Sequence, residues 1–136
     1  MNNIARLWIA IGALLGALGV GLGAFGAHGL GDFLARLGYE GDDLHHRIAI
    51  FETAVRYQMM HSIAIVLTAL LLNQHDCKCW RLAAWSFLLG VVVFSGLLKV
   101  LTFAGPYWRW LGAIVQIGGV LMIVGWVALA VGAIRK

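Results

Sequence analysis

Four long apolar stretches alternate with short polar segments along the chain, at 7–27, 57–72, 82–103 and 111–134. A helix crosses the hydrocarbon core of a bilayer with about 20 apolar residues, so each stretch is read as a span. The second is short, but a helical pattern continues upstream of it. Between the first and second stretches, His28-Gly29-Leu30-Gly31 makes a flexible stop. Asp32 can then cap a short helix through Leu37, with Gly38 just past its end. Asp32 and Arg36 stand four residues apart and can pair. Leu30, Phe33, Leu34 and Leu37 give this piece one apolar face, which predicts a helix lying on the membrane surface. Gly41-Asp42-Asp43 punctuates the chain again, and either aspartate can cap the next helix, predicted from Leu44 to Leu72. Its length of roughly 43 Å exceeds the core thickness of about 30 Å, so its first three turns are expected outside the hydrocarbon. The prediction is an all-α, integral membrane four-helix bundle forming one domain over residues 1–136, with a short surface helix in the first loop. Pro106 is the only proline, which predicts no proline kink in any span.

Composition agrees with this pattern. Of the 136 residues, 62% are hydrophobic and 12% charged, against about a quarter charged in soluble domains. The formal net charge is +4, but the basic residues are scattered and gather at span ends, which points to headgroups and away from nucleic acid. Arg6 and Arg135–Lys136 are expected to be such anchors, with Trp8, Trp80, Trp108 and Trp110 as interfacial aromatics. Four spans put both termini on one side with Arg6, Lys78, Arg81, Arg135 and Lys136. Arg36, Arg47, Arg56 and Arg109 lie opposite, with Lys99 near that end of the third span. The small basic excess assigns the termini to the cytoplasmic side of a bacterial inner membrane. A cleaved signal peptide over residues 1–27 is the alternative for the first span. Its apolar run is longer than the usual h-region of about 7–15 residues.

Gly12, Gly16, Gly19, Gly23 and Gly26 alternate spacings of four and three, so on a helix they form one stripe. Small residues let membrane helices approach closely. The fourth span repeats the theme: Gly118, Gly125 and Gly132 are seven apart, with Gly112 and Gly119 in a neighbouring row. The two spans are expected to pack through these faces, within one molecule or between molecules.

Few polar residues interrupt the spans. Glu52 and Arg56 are four apart and can form a helix-stabilising pair, or a shielded pair that holds the long loop or a polar ligand. Thr53, Tyr57, His61, Ala64 and Thr68 form another stripe. At 100° per residue His61 lies about 180° around the helix from Glu52, so the two cannot face one centre. His61 is either a neutral histidine bonded to another helix or a functional group inside the span. His28 and His61 stand near the same end of the first two spans, with Met59 and Met60 nearby. Two imidazoles can ligate haem or a transition metal, but no further His or Cys accompanies them, and no cofactor or metal is expected. A quinone or lipid headgroup held by His28, Tyr57 and His61 is the better-supported alternative. Lys99 can snorkel toward the headgroups or pair with Glu52, and Gln116 is the other candidate for a buried polar contact. Cys77 and Cys79 with His75 are too few for a structural zinc site. No catalytic set, phosphate loop or dinucleotide fingerprint is present.

At these residues the chain resembles the small membrane proteins of domain-of-unknown-function family 423. The resemblance is carried by Gly23-Ala24-Phe25-Gly26-Ala27-His28-Gly29-Leu30 and by Phe51-Glu52-Thr53-Ala54-Val55-Arg56-Tyr57-Gln58-Met59 with His61. Phe94-Ser95-Gly96, Gly112-Ala113-Ile114 and Ile117-Gly118-Gly119 also match. It implies a four-span protein of bacterial inner membranes, with relatives in eukaryotes, and no assigned reaction or ligand. Leu97 and Lys99 stand where the resemblance leads one to expect a small polar residue and a tyrosine, and Gln116 where it leads one to expect proline.

These features support an accessory or structural subunit that associates through its glycine faces with itself or a larger membrane complex, with the lipid bilayer as its other partner. The alternative is a binder or transporter of a small molecule, lipid or quinone at the polar end of the bundle, using His28, Glu52, Arg56, Tyr57, His61 and Lys99. No residue is assigned a catalytic role.

Overall fold

The computed structural model describes residues 1–108 and 110–135. Arg109 and Lys136, used above for orientation and as a terminal anchor, lie outside the described residues. Among the described residues every element is helical: α1 (Asn3–His28), α2 (Leu30–Arg36), α3 (Gly41–Gln74), α4 (Lys78–Gly90), a π-helical turn (Val91–Ser95), α5 (Gly96–Phe103), a 3-10 turn (Pro106–Trp108) and α6 (Leu111–Ile134). Four helical segments are long and apolar enough to cross a membrane: α1, α3, α4 through α5, and α6.

Asn2 starts α1 by accepting the Ala5 N–H at 2.7 Å. It also ties that end to α3, donating to the Leu72 carbonyl at 3.1 Å and through its backbone N–H to Asn73 Oδ1 at 3.0 Å. From there α1 and α3 run antiparallel, with Gly12 against Val66 and the Ser62 carbonyl, Gly19 against Met59, and Gly26 against Phe51. A Cβ on Gly12 would lie 2.7 Å from Val66 Cγ2 and 2.9 Å from the Ser62 carbonyl oxygen, so any larger residue pushes backbone apart. The second glycine stripe faces a different partner. A Cβ on Gly118 would run into the Phe94 backbone N, and one on Gly125 would lie 2.6 Å from the Phe87 ring. Gly132 lies against Trp80, and Gly90 answers from α4 against Met122. The two glycine-rich helices therefore do not use these faces on one another: α1 packs on α3, and α6 packs on α4 and the π turn.

Several local expectations need correction. The chain breaks at Gly29 alone, and α2 begins at Leu30 with Gly29 as its N-cap, so Asp32 lies in the first turn instead of capping it. A negative charge in the first turn of a helix is favourable to its dipole. Gly38, just past α2, takes the positive φ of 88° that favours glycine. α3 begins three residues earlier than predicted, with Glu40 as N-cap and both Asp42 and Asp43 inside the first turn. α3 stays beside α1 as far as Phe51, so its membrane-length segment reaches beyond the 57–72 stretch. Trp8 and Trp80 are not interfacial anchors. Both are buried in the bundle, where Trp8 meets the Trp85 ring edge-on at 5.0 Å and Trp80 packs with Ala83, Ala84 and Phe87. Trp108 and Trp110 are exposed.

The third span has no proline, yet its helical ladder widens at Val91–Ser95, where the Gly96 N–H reaches back to the Val91 carbonyl. Close packing of Phe94 on Gly118 occupies this turn. At the loop end, Phe25, Phe51, Phe103 and Phe33 form a chain of edge-on rings with centroids 5.8–6.2 Å apart, joining α1, α3, α5 and α2.

Candidate functional site

α3 carries most of the polar side chains inside the bundle, and its faces distribute them to three places. On the face toward α6, Arg56, Tyr57 and His61 meet Phe94 of the π turn and Gln116, Gly119 and Trp126 of α6 around an open groove of about 610 Å³. Such a volume lies in the range of small-molecule sites. The spacing of four between Tyr57 and His61 stacks their rings, 6.0 Å apart and 12° from parallel. Phe94 lies 4.7 Å from the Tyr57 ring, and Phe87 lies 5.6 Å from the His61 ring.

His61 is 3% exposed and both ring nitrogens are engaged. Trp126 Nε1–H can only donate, and it lies 3.3 Å from His61 Nε2, which must therefore accept. Nδ1 then carries the proton and donates to the Tyr57 carbonyl at 2.8 Å. The network corresponds to a neutral imidazole held between two helices. Trp126 itself is half exposed at the groove.

Arg56 is exposed and has no ion-pair or hydrogen-bond partner among the described residues. The expected pair with Glu52 is not formed, and neither is that of Asp32 with Arg36; among the described residues the ion pairs are Arg47–Asp43 and Arg81–Asp76. Glu52 turns instead to a second, shallower groove of about 260 Å³ beside Gly23, Gly26 and Ala27 of α1, which Arg56 also borders. Gln116, expected as a buried contact, is exposed on the wall of the larger groove.

Beside His61, where α3 turns toward α1 and α5, is a polar tie absent from the predicted site. Gln58 is 2% exposed. Its Nε2 donates to the Leu15 carbonyl of α1 at 2.7 Å, and its Oε1 accepts from Lys99 Nζ of α5. Lys99 thus neither pairs with Glu52 nor reaches outward; it ends in the bundle on a neutral amide. Gln58 was legible in principle, because it lies on the stripe Phe51, Ala54, Gln58, Ser62, Ile65 that α3 buries.

Nearer the loop, Arg47 is a second feature that local sequence did not reveal. It pairs with Asp43 at 3.0 Å and donates to the carbonyls of Thr102 at 2.8 Å and Ala104 at 3.0 Å. The Tyr39 ring covers its guanidinium at 3.7 Å. These carbonyls belong to the end of α5, where a helix leaves acceptors without partners.

His28 does not join this site. Gly26 lies against Phe51, so His61 sits about ten residues deeper along α3, roughly 15 Å at the helical rise. The two imidazoles cannot hold one ligand between them, and His28 is exposed at the end of α1. Among the described residues no three His, Cys, Asp or Glu side chains converge as a metal site would require. Cys77, outside the spans, is the N-cap of α4. The Trp80 backbone N–H directed at its sulfur holds this thiol below its ordinary pKa, helped by Cys79, while desolvation and Asp76 act in the opposite sense.

Comparison with known proteins matches this arrangement to one group. A UPF0382 membrane protein of Staphylococcus haemolyticus is 37% identical over 131 residues, covering 96% of this chain and 97% of the relative. The UPF0382 membrane protein YwdK of Bacillus subtilis is 34% identical over 131 residues, covering 96% and 98%. One from Haemophilus influenzae is 36% identical over 130 residues, covering 95% and 94%. No solved structure matches the chain. The family model described as protein of unknown function DUF423 matches residues 22–119. With four membrane-length helices and full-length relatives that are membrane proteins, the chain belongs to the DUF423 family of membrane proteins.

Proposed function

We propose that this protein binds a small membrane-soluble molecule with a polar head in the lateral groove between α3 and α6. The observation that carries this is the convergence of Arg56, Tyr57, His61, Gln116 and Trp126 on an otherwise apolar groove of about 610 Å³. Polar groups inside a span are costly unless they have partners or a task, and Arg56 and Gln116 have no partner among the described residues. In this reading the chain sits in the bacterial inner membrane with both termini cytoplasmic, an orientation that rests on the Lys and Arg distribution. It acts as a binder or transporter and carries out no chemical step.

The accessory-subunit reading loses its main support, because Gly12, Gly19, Gly118 and Gly125 are covered within the molecule. Native mass spectrometry of protein extracted gently from its own membrane separates the two. A monomer carrying one discrete small mass, released by Trp126→Ala or Gly119→Leu, is the expected result. A complex with other polypeptides and no bound small molecule would instead return the accessory role.

A further inference from the structure

We infer that the groove's occupant is an anionic lipid, its phosphate or carboxylate head on Arg56 and its chain along α6 past Gly119 toward Trp126. This rests on the groove being a binding site, and it names the ligand's charge. Three observations converge on it. First, among the described residues no acidic side chain lines the groove, and its only cation is Arg56. Glu52, one turn away and able to neutralise that guanidinium, leaves it unpaired. Second, His61 contributes no positive charge, because its network fixes the neutral ring, with one nitrogen donating to the Tyr57 carbonyl and the other accepting from Trp126. Third, depth fits a headgroup. Gly23 lies beside Val55 and Gly26 beside Phe51, so Arg56 stands little more than one turn inward from the end of α1. Its long side chain can reach the headgroup level from there. A guanidinium offers paired donors matched to a carboxylate or phosphate. An uncharged quinone would leave that charge unanswered. The volume continues inward from Arg56 over Phe94, Gly119, Val120 and Ile123, which suits an acyl chain.

The test uses full-length protein in detergent, stripped of lipid and titrated with phosphatidylglycerol and phosphatidylcholine of identical chains, read by native mass spectrometry. The wild type should retain one phosphatidylglycerol at least tenfold more tightly than phosphatidylcholine. Arg56→Gln should abolish that preference and Arg56→Lys should keep part of it. Gly119→Leu should release both lipids; a Cβ there has room, 3.8 Å from the Phe94 ring, so the added side chain fills the groove without breaking the helix contact. Thermal midpoints of all three variants should match the wild type. Equal retention of both lipids, unchanged by Arg56→Gln yet lost in Gly119→Leu, would overturn the anionic head and leave the groove a binding site. Retention unaffected by either substitution would overturn the groove itself. Displacement of the lipid by millimolar glycerol phosphate would overturn the lipid and point to a soluble phosphate.

Discussion

Arg47 and Arg56 stand nine residues apart on α3, on opposite sides of the helix. Arg47 spends its donors inside the protein, on Asp43 and on the carbonyls that end α5, under the Tyr39 ring. Arg56 keeps all of its donors and borders two grooves. The same side chain serves once as a helix-end clamp and once as an unanswered charge. A membrane protein can bear the first for stability alone. The second has no structural return, and it is the place where a ligand is to be sought.

The comparison can be broken most forcefully at Arg47. Arg47→Ala leaves the Thr102 and Ala104 carbonyls without their donor, and the cost of such orphaned groups is about 1–3 kcal/mol each in partly buried settings. Thermal denaturation in detergent should show a midpoint lower by several degrees, with Arg47→Lys intermediate because a point charge cannot reach all acceptors. Arg56→Ala should leave stability within about 0.5 kcal/mol of wild type, as an unpartnered surface position does. If the two substitutions destabilise equally, the contrast between them is wrong.

Lys99 sharpens the comparison as a third cation, one that ends on a neutral amide. Gln58→Leu should destabilise by about 1–2 kcal/mol, since it removes the bond to Leu15 and strands the ammonium. Combined with Lys99→Met, the loss should be smaller than the sum of the two single losses. Additive losses in that double-mutant cycle would show that the bond carries no coupling.

The smallest effect concerns the other end of the third span. Arg47 answers carbonyls at the end of α5, and Cys77 stands as N-cap at the start of α4, where the nearby backbone of Trp80 lowers its pKa. Because this thiol's pKa is lowered, its thiolate fraction, and so its alkylation rate, should begin to rise at a lower pH than that of an ordinary thiol. Mass-spectrometric labelling of Cys79→Ser and Cys77→Ser variants across pH 6–9 would read this, and coincident profiles would refute it.

Hydropathy made the spans legible because 20-residue apolar runs have few other uses in a chain. The glycine stripes were legible as faces, but their partners were not. A helical period states which residues share a side and is silent on which helix covers it, so α1 and α6 were matched to one another instead of to α3 and α4. The Arg47 clamp depends on carbonyls more than fifty residues away, and no local pattern announces it. Glu52 and Arg56 had the spacing for a pair, but spacing permits a contact without requiring it. Tyr57 and His61 were found because ionisable and aromatic groups within a span are conspicuous. Gln58 sat between them and was overlooked, although its stripe marks it as the most buried of the three.

The π turn at Val91–Ser95 sets a counting rule for the third span. Residues beyond it reach their partners only because the ladder skips there: Lys99 meets Gln58, and the Thr102 carbonyl meets Arg47. Closing the ladder into an ordinary α-helix at constant length would rotate everything downstream by about 100°. Both ties would be lost in a single step with no polar side chain altered. A relative with an ordinary α-helix here can therefore keep these ties only if its segment is one residue shorter.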